Sequence, residues 1–371
     1  MMNLLLLFTA FSVMNQAPIE KPDQAYLGIF AETTAMKMVG MPDIELPPGV
    51  DPSMIPGLAD MLGGRKLTIR LWSPSIAPDN AAASIAPPPG LKQGQKLDLE
   101  LYRPKPDQKS EPDDSDFDTS KMKEMTIKIY WGSSATVKEN QPKIIKFGDL
   151  SPAQVDEMRK QAKEMARKKN VASYFYKPGW TTGYWPTKKQ PGKIAKDAML
   201  TGGYSLTTNY CGNVQLDAPT NVEFLAPIEF TSPSFKNKLD FTQSLNFEWK
   251  QIQYLLGSCA RITAMEGQNT IIMWYSSEVY DQSLMNTNWD FMQMADVLSL
   301  VKKTAMMAGD RTSVIVPAGI FKDADFVSMV MTGYGPGASL PEGQPLPRIQ
   351  TKTSITVMLG GKKMENMGGE E

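Results

Sequence analysis

Four groups of residues in this chain have types and spacings that could do chemistry. Ser276, Ser277 and Glu278 follow an apolar, aromatic run in NTIIMWYSSEV, where a strand end could present a nucleophilic serine. Such a serine needs a base and an oxyanion site. The 371 residues include no histidine, so a Ser-His-Asp triad cannot be built. The Gly-x-Ser-x-Gly elbow is also missing. Ser299 and Lys302 match Ser-x-x-Lys, but Ser299 falls inside an expected helix and lacks the Ser-Asp-Asn and Lys-Thr-Gly partners of that chemistry. The serines are therefore read as the polar exit of a buried strand, and no catalytic residue is assigned. The enzymatic alternative is a carboxylate-based glycan hydrolase using Glu278 and Asp281, the acidic pair nearest that exit.

The third group is an aromatic stretch, YFYKPGWTTGYWPTKK, in which Tyr176, Trp180, Tyr184 and Trp185 could stack on sugar rings. The fourth is AMKMVGM. Its thioethers Met36, Met38 and Met41 are soft ligands that would select Cu(I) in a periplasmic protein, although methionine also fills irregular cores.

Other chemistries are excluded by composition. Without histidine there is no His-Glu-x-x-His zinc site and no imidazole base. A net charge of −1 argues against a nucleic-acid partner. No motif calls for a cofactor. Cys211 and Cys259 lack metal-type spacing, and the sequence leaves open whether they pair. The apolar run Leu4–Val13 is too short for a transmembrane span, which needs about 20 residues. It suits a signal peptide over 1–17, with a buried first strand as the alternative.

The elements that must position these groups are mostly strands. KLTIRLW, KLDLELY and MTIKIYW alternate apolar and polar residues, with Arg70, Glu100 and Lys128 turned outward, as in an antiparallel sheet with one wet face. Ala77–Gln95 and Pro104–Lys121 lack periodicity and are expected to be mobile surface loops. Ser151-Pro152-Ala153-Gln154 is a capping box opening a helix near 152–169. Further strands are expected at Tyr204–Tyr210 and Asn221–Leu225. Beyond Pro233, SLNFEWKQI and five further strand-like runs suit a small sandwich. A helix is expected over Trp289–Met307, with Phe291, Met294, Leu298, Val301 and Ala305 inward and Gly309 as its C-cap.

The order of these runs over roughly 235–361 resembles a fibronectin type III domain, with Leu245–Trp249 carrying the core tryptophan. IYWGSS, ENQPKIIKF, WTTGYWP, SLTTNYCGNV, MWYSSE and VPAGIF together resemble a family of apparently exported bacterial proteins without a characterised activity. That family commonly has Tyr-Trp-Gly-Cys-Gly where this chain has Tyr130-Trp131-Gly132-Ser133-Ser134, so no role of the thiol carries over. The resemblance implies export and β-architecture.

The expected fold is all-β, with two antiparallel β-sandwich domains over 18–232 and 233–361, short helical insertions and a disordered tail over 362–371. The expected function is that of a periplasmic or extracellular binding or envelope-structural protein. Its partner would be cell-envelope polysaccharide or another envelope protein, with no membrane span in the mature chain.

Overall fold

The computed structural model describes residues 25–41, 62–103, 123–151, 153–157, 160, 179–280, 291–339 and 348–363. The expected signal peptide and the acidic Pro104–Lys121 loop lie outside them. The fold is all-β with short helical insertions.

Strands are numbered along the chain. Alternating apolar residues build a twelve-stranded sheet. From one edge it runs β5 (Glu100–Tyr102), β8 (Thr181–Trp185), β2 (Gly64–Ser73) and β1 (Tyr26–Met38). It continues through β19 (Arg348–Gly360), β17 (Phe326–Tyr334), β13 (Gly257–Glu266) and β14 (Thr270–Tyr275). It ends in β6 (Thr126–Trp131) and β7 (Lys143–Lys146). Short β15 (Met307–Ala308) and β18 (Ala338–Ser339) attach to β13 and β19. Two pairs depart from the expected antiparallel pattern: β1 with β19, and β14 with β6, are parallel.

Two smaller sheets pack on one face of the large one. The first is β10 (Val214–Ala218), β9 (Gly202–Thr208), β3 (Ala83–Ala86) and β4 (Leu97–Asp98). It encloses a core with Leu27, Ile29, Leu67, Ile69, Leu71, Ile85, Tyr204, Leu206 and Trp185. The second is β11 (Phe230–Ser232), β12 (Leu245–Trp249) and β16 (Ser313–Val316). Its core holds Phe247, Trp249, Ile262, Trp274, Met329 and Val357. Apart from Ile349, the buried residues of the first core lie within 25–224, and those of the second begin at Leu225, with Ala35, Val39 and Tyr130 packed against them.

The opposite face of the large sheet is not simply wet. Tyr26, Phe30, Trp72 and Trp180 cluster there with Phe291. Ile129, Tyr275 and Tyr334 form another cluster beneath the helix α1 (Met294–Lys302). Between the two clusters β19 places Arg348, Gln350 and Lys352, all buried. Lys352 pairs with Glu32 at 3.3 Å and lies 4.6 Å from the Phe291 ring. Gln350 Nε2 donates to the Met292 carbonyl at 2.6 Å, fastening the chain just before α1.

Several expectations change. KLDLELY is not one strand: β4 pairs with β3, and after Leu99 the chain crosses to the large sheet as β5. Such a corner lets one apolar run serve both layers. Ala77–Gln95 is no plain loop, because β3 and a 3₁₀ turn at Pro89–Leu91 bury Ile85 and Leu91. Asn221–Leu225 forms no strand, although Val222, Phe224 and Leu225 are buried. Helix α1 is shorter than expected and rotated. Val297 points inward while Met294 and Leu298 are 46% and 48% exposed, and Gly309 lies beyond β15 and is not the cap. The Ser151 capping box forms, with Gln154 Oε1 accepting from Ser151 N at 2.9 Å; residues 153–157 and 160 are helical, and the rest of that helix lies outside the described residues. The tail expected to be disordered from 362 begins docked: Lys362 and Lys363 donate backbone hydrogen bonds to Ala324 and Asp325.

Candidate functional site

The expected four-ring platform is not assembled. Alternation along β8 puts Trp185 on the inner face, fully buried in the first core. Trp180 lies on the opposite face, only 8% exposed and stacked on Tyr26 at 5.4 Å. Tyr184 is part-exposed beneath the Arg70 guanidinium, 5.5 Å from the ring centroid, and Tyr176 lies outside the described residues. The cause is the two-residue period: Trp180, just before β8, and Trp185, at its end, are five residues apart and fall on opposite faces of the sheet. Large aromatics in an alternating run are core material first.

The serines close a strand exit. Ser276 Oγ accepts from Ala260 N at 2.9 Å while Ser276 N donates to Ala260 O at 3.0 Å. Ser277 Oγ donates to Val279 O at 2.6 Å. Both side chains are buried and satisfied, which is what a strand leaving a core requires. Ser299 and Lys302 are exposed on α1.

Glu278 holds a different position. Parallel pairing of β6 and β14 brings the Tyr130–Ser134 and Trp274–Glu278 stretches side by side. The Glu278 carboxylate accepts from Lys138 at 2.9 Å, Arg311 at 3.1 Å and Ser133 N at 3.4 Å. Gly132, at φ +90°, makes room: a β-carbon there would fall 2.5 Å from Lys138 Nζ. Ser133 Oγ accepts from Ile315 N at 2.9 Å, tying this loop to β16. Burial alone would raise the Glu278 carboxyl, but Lys138 and Arg311 outweigh it and hold the pKa below the usual carboxylate range. A general acid needs the opposite shift. Glu278 is thus a charge-clamped joint, and Asp281 lies outside the described residues.

A concavity lies elsewhere among the described residues. An open groove of about 830 Å³ runs past Pro87–Gly90, Lys196–Met199, Gly202, Gly203, Ser205 and Glu223. Arg65 shares the inward parity of Leu67, Ile69 and Leu71, so its guanidinium caps the end of the first core, 5.0 Å from the Phe224 ring centroid. It donates to Ala198 O at 2.8 Å. Glu223 accepts from Leu200 N at 2.8 Å and from the Thr201 N and Oγ1 at 2.9 and 2.5 Å. Met199 N donates to Gly90 O at 2.9 Å, linking the two walls. Gly202, at φ +122°, lets the backbone approach Pro88, whose Cβ would be 2.7 Å from any added β-carbon. Burial lowers the Arg65 pKa, against Glu223 and Asp197, and the group stays cationic. Lys92 pairs with Asp197 at the rim.

Sequence reading missed this groove because its residues are far apart in the chain. Its one local signal was the Pro87-Pro88-Pro89-Gly90 run facing Gly202-Gly203, which marks close backbone approach. Met36 and Met38 lie together on β1, and Met41, 57% exposed, follows the turn at Gly40. Cys211 and Cys259 are free and buried in different clusters, and burial pushes the Cys259 thiol well up. Comparison with family descriptions, curated proteins and solved structures finds no match to this chain.

Proposed function

We propose that this protein is a non-enzymatic binding protein of the cell envelope, periplasmic or extracellular, holding a neutral, hydroxyl-rich chain such as envelope polysaccharide. The observation that carries this reading is the groove's balance of charge. Arg65, Lys196 and the rim Lys92 are offset to within one charge by Glu223 and Asp197 around a wall of Gly202, Gly203 and Ser205. A nucleic acid would require uncompensated cations. A neutral polyol instead uses an exposed ammonium, a hydroxyl and backbone groups as donors and acceptors, with prolines and Met199 as apolar walls. Walls fixed by internal hydrogen bonds also lower the ordering cost of binding.

The proposal extends to the second half as a fibronectin type III-like module, a sandwich architecture shared by many cell-surface domains. Support comes from the strand order, β11-β12-β16 against β14-β13-β17-β19, with Trp249 in the second strand and α1 inserted between β14 and β16. The test is a pull-down with envelope polysaccharides using the full chain and Ser205→Tyr. Ser205 lies part-exposed on the outer side of β9, so the new ring fills the groove without entering the core. At least tenfold weaker retention by the variant is expected. Equal retention, or none by the parent chain, overturns the groove assignment.

A further inference from the structure

The parallel register of β1 on β19 adds a residue to the methionine group that spacing alone could not show. Met38 is paired with Met358, and Met36 with Thr356. Face parity is fixed by the neighbours: Ala35 and Val39 pack on the second core, as do Ile355, Val357 and Leu359. Met36, Met38 and Met358 therefore share the opposite face, and all three are part-exposed. Paired positions on adjacent strands lie about 5 Å apart and alternate positions on one strand about 7 Å apart. An unbranched thioether with three rotatable bonds spans such distances. Val39 N donates to Met358 O at 2.9 Å, which holds the ladder to its end, and Gly40 N then turns to Phe235 O at 2.8 Å on the second-core side.

We propose that Met36, Met38 and Met358 form a binding site for a soft monovalent cation, Cu(I) or its redox-inert analogue Ag(I). Three features select that chemistry. Thioethers are soft and suit Cu(I) over zinc, calcium or magnesium. They are uncharged, so the complex keeps the ion's full charge, and a monovalent ion loses far less hydration than a divalent one. The nearby positions on this face, Thr34, Ser328, Val330 and Thr356, bear only hydroxyls or an apolar side chain. Among the described residues, no three histidine, cysteine or acidic side chains come together to compete for a harder metal. The site is independent of the groove.

The experiment is an anaerobic Cu(I) titration of the full chain against a chromophoric Cu(I) chelator, with methionine methyl resonances followed under Ag(I). Expected is one equivalent bound, with shifts at Met36, Met38 and Met358 and none at Met265, which lies on β13. Met38→Leu plus Met358→Leu conserves volume and should leave far-UV circular dichroism unchanged. It should weaken Cu(I) binding at least tenfold, whereas Met265→Leu and Ser205→Tyr leave binding intact. No shift at an equimolar ion, or full affinity in the double variant, overturns the site. Should the double variant misfold, Met36→Leu alone must still weaken binding, and unchanged affinity there also overturns it.

Discussion

At the scale of residues, the informative side chains are those whose charge is neither solvated nor buried in isolation. Glu278 takes hydrogen bonds from Lys138 and Arg311, with all three side chains about one-third exposed. Because its folded pKa lies below the ordinary value of 4.5, its contribution is complete above that value and is lost as pH falls through the folded pKa. Glu278→Gln should therefore cost about 1 kcal/mol at neutral pH, discounted for solvent screening. The penalty should stay level while the pH is above 4.5 and shrink as it falls below that value through the lowered folded pKa. Urea unfolding of both proteins across that range is the measurement, and a penalty growing in acid would contradict the clamp. This joint was only half legible in the sequence. Glu278 stood out beside an aromatic strand, but Lys138 and Arg311 are 140 and 33 residues away along the chain, and no local pattern announces them. The same limit hid Arg65 and Glu223 in the groove, and Met358 beside Met38.

At the scale of elements, α1 shows what periodicity can and cannot decide. The run from Phe291 to Ala305 has helical spacing on more than one face, so composition allowed Leu298 to point inward. Tertiary contacts choose Val297, with Leu300 and Val301 beside it, because these meet Met306, Tyr334 and Cys259. The short β15 then draws the chain back into the sheet before another turn can form. Val297→Ala should cost about 1–2 kcal/mol, whereas Leu298→Lys should stay within about 0.5 kcal/mol. Denaturation midpoints of the two variants decide the rotation, and the reverse ranking would restore the expected face. Strands were easier to read. β2, β12, β13, β14, β17 and β19 all follow visible alternation or apolar runs. Four-residue β3 did not, since ASIA is too short for a period to emerge among prolines.

At the scale of the whole molecule, two cores share one sheet. β1 gives Leu27, Ile29 and Ala31 to the first core and packs Ala35 against the second. β19 does the same with Ile349 on one side and Ile355, Val357 and Leu359 on the other. Eleven register pairs join these two strands, one from each end of the chain. Breaking either core frees part of both strands, and with them the ladder that the other core rests on. Unfolding should therefore be a single transition despite the chain's length. Phe247 is fully buried in the second core, and Phe247→Ala should cost about 3–5 kcal/mol. With fluorine-labelled tryptophan, the loss should lower the unfolding midpoint at Trp185, in the first core, as much as at Trp274 in the second. A Trp185 signal that keeps the parent midpoint while Trp274 shifts would mean that each sandwich folds alone and the shared ladder couples them only weakly.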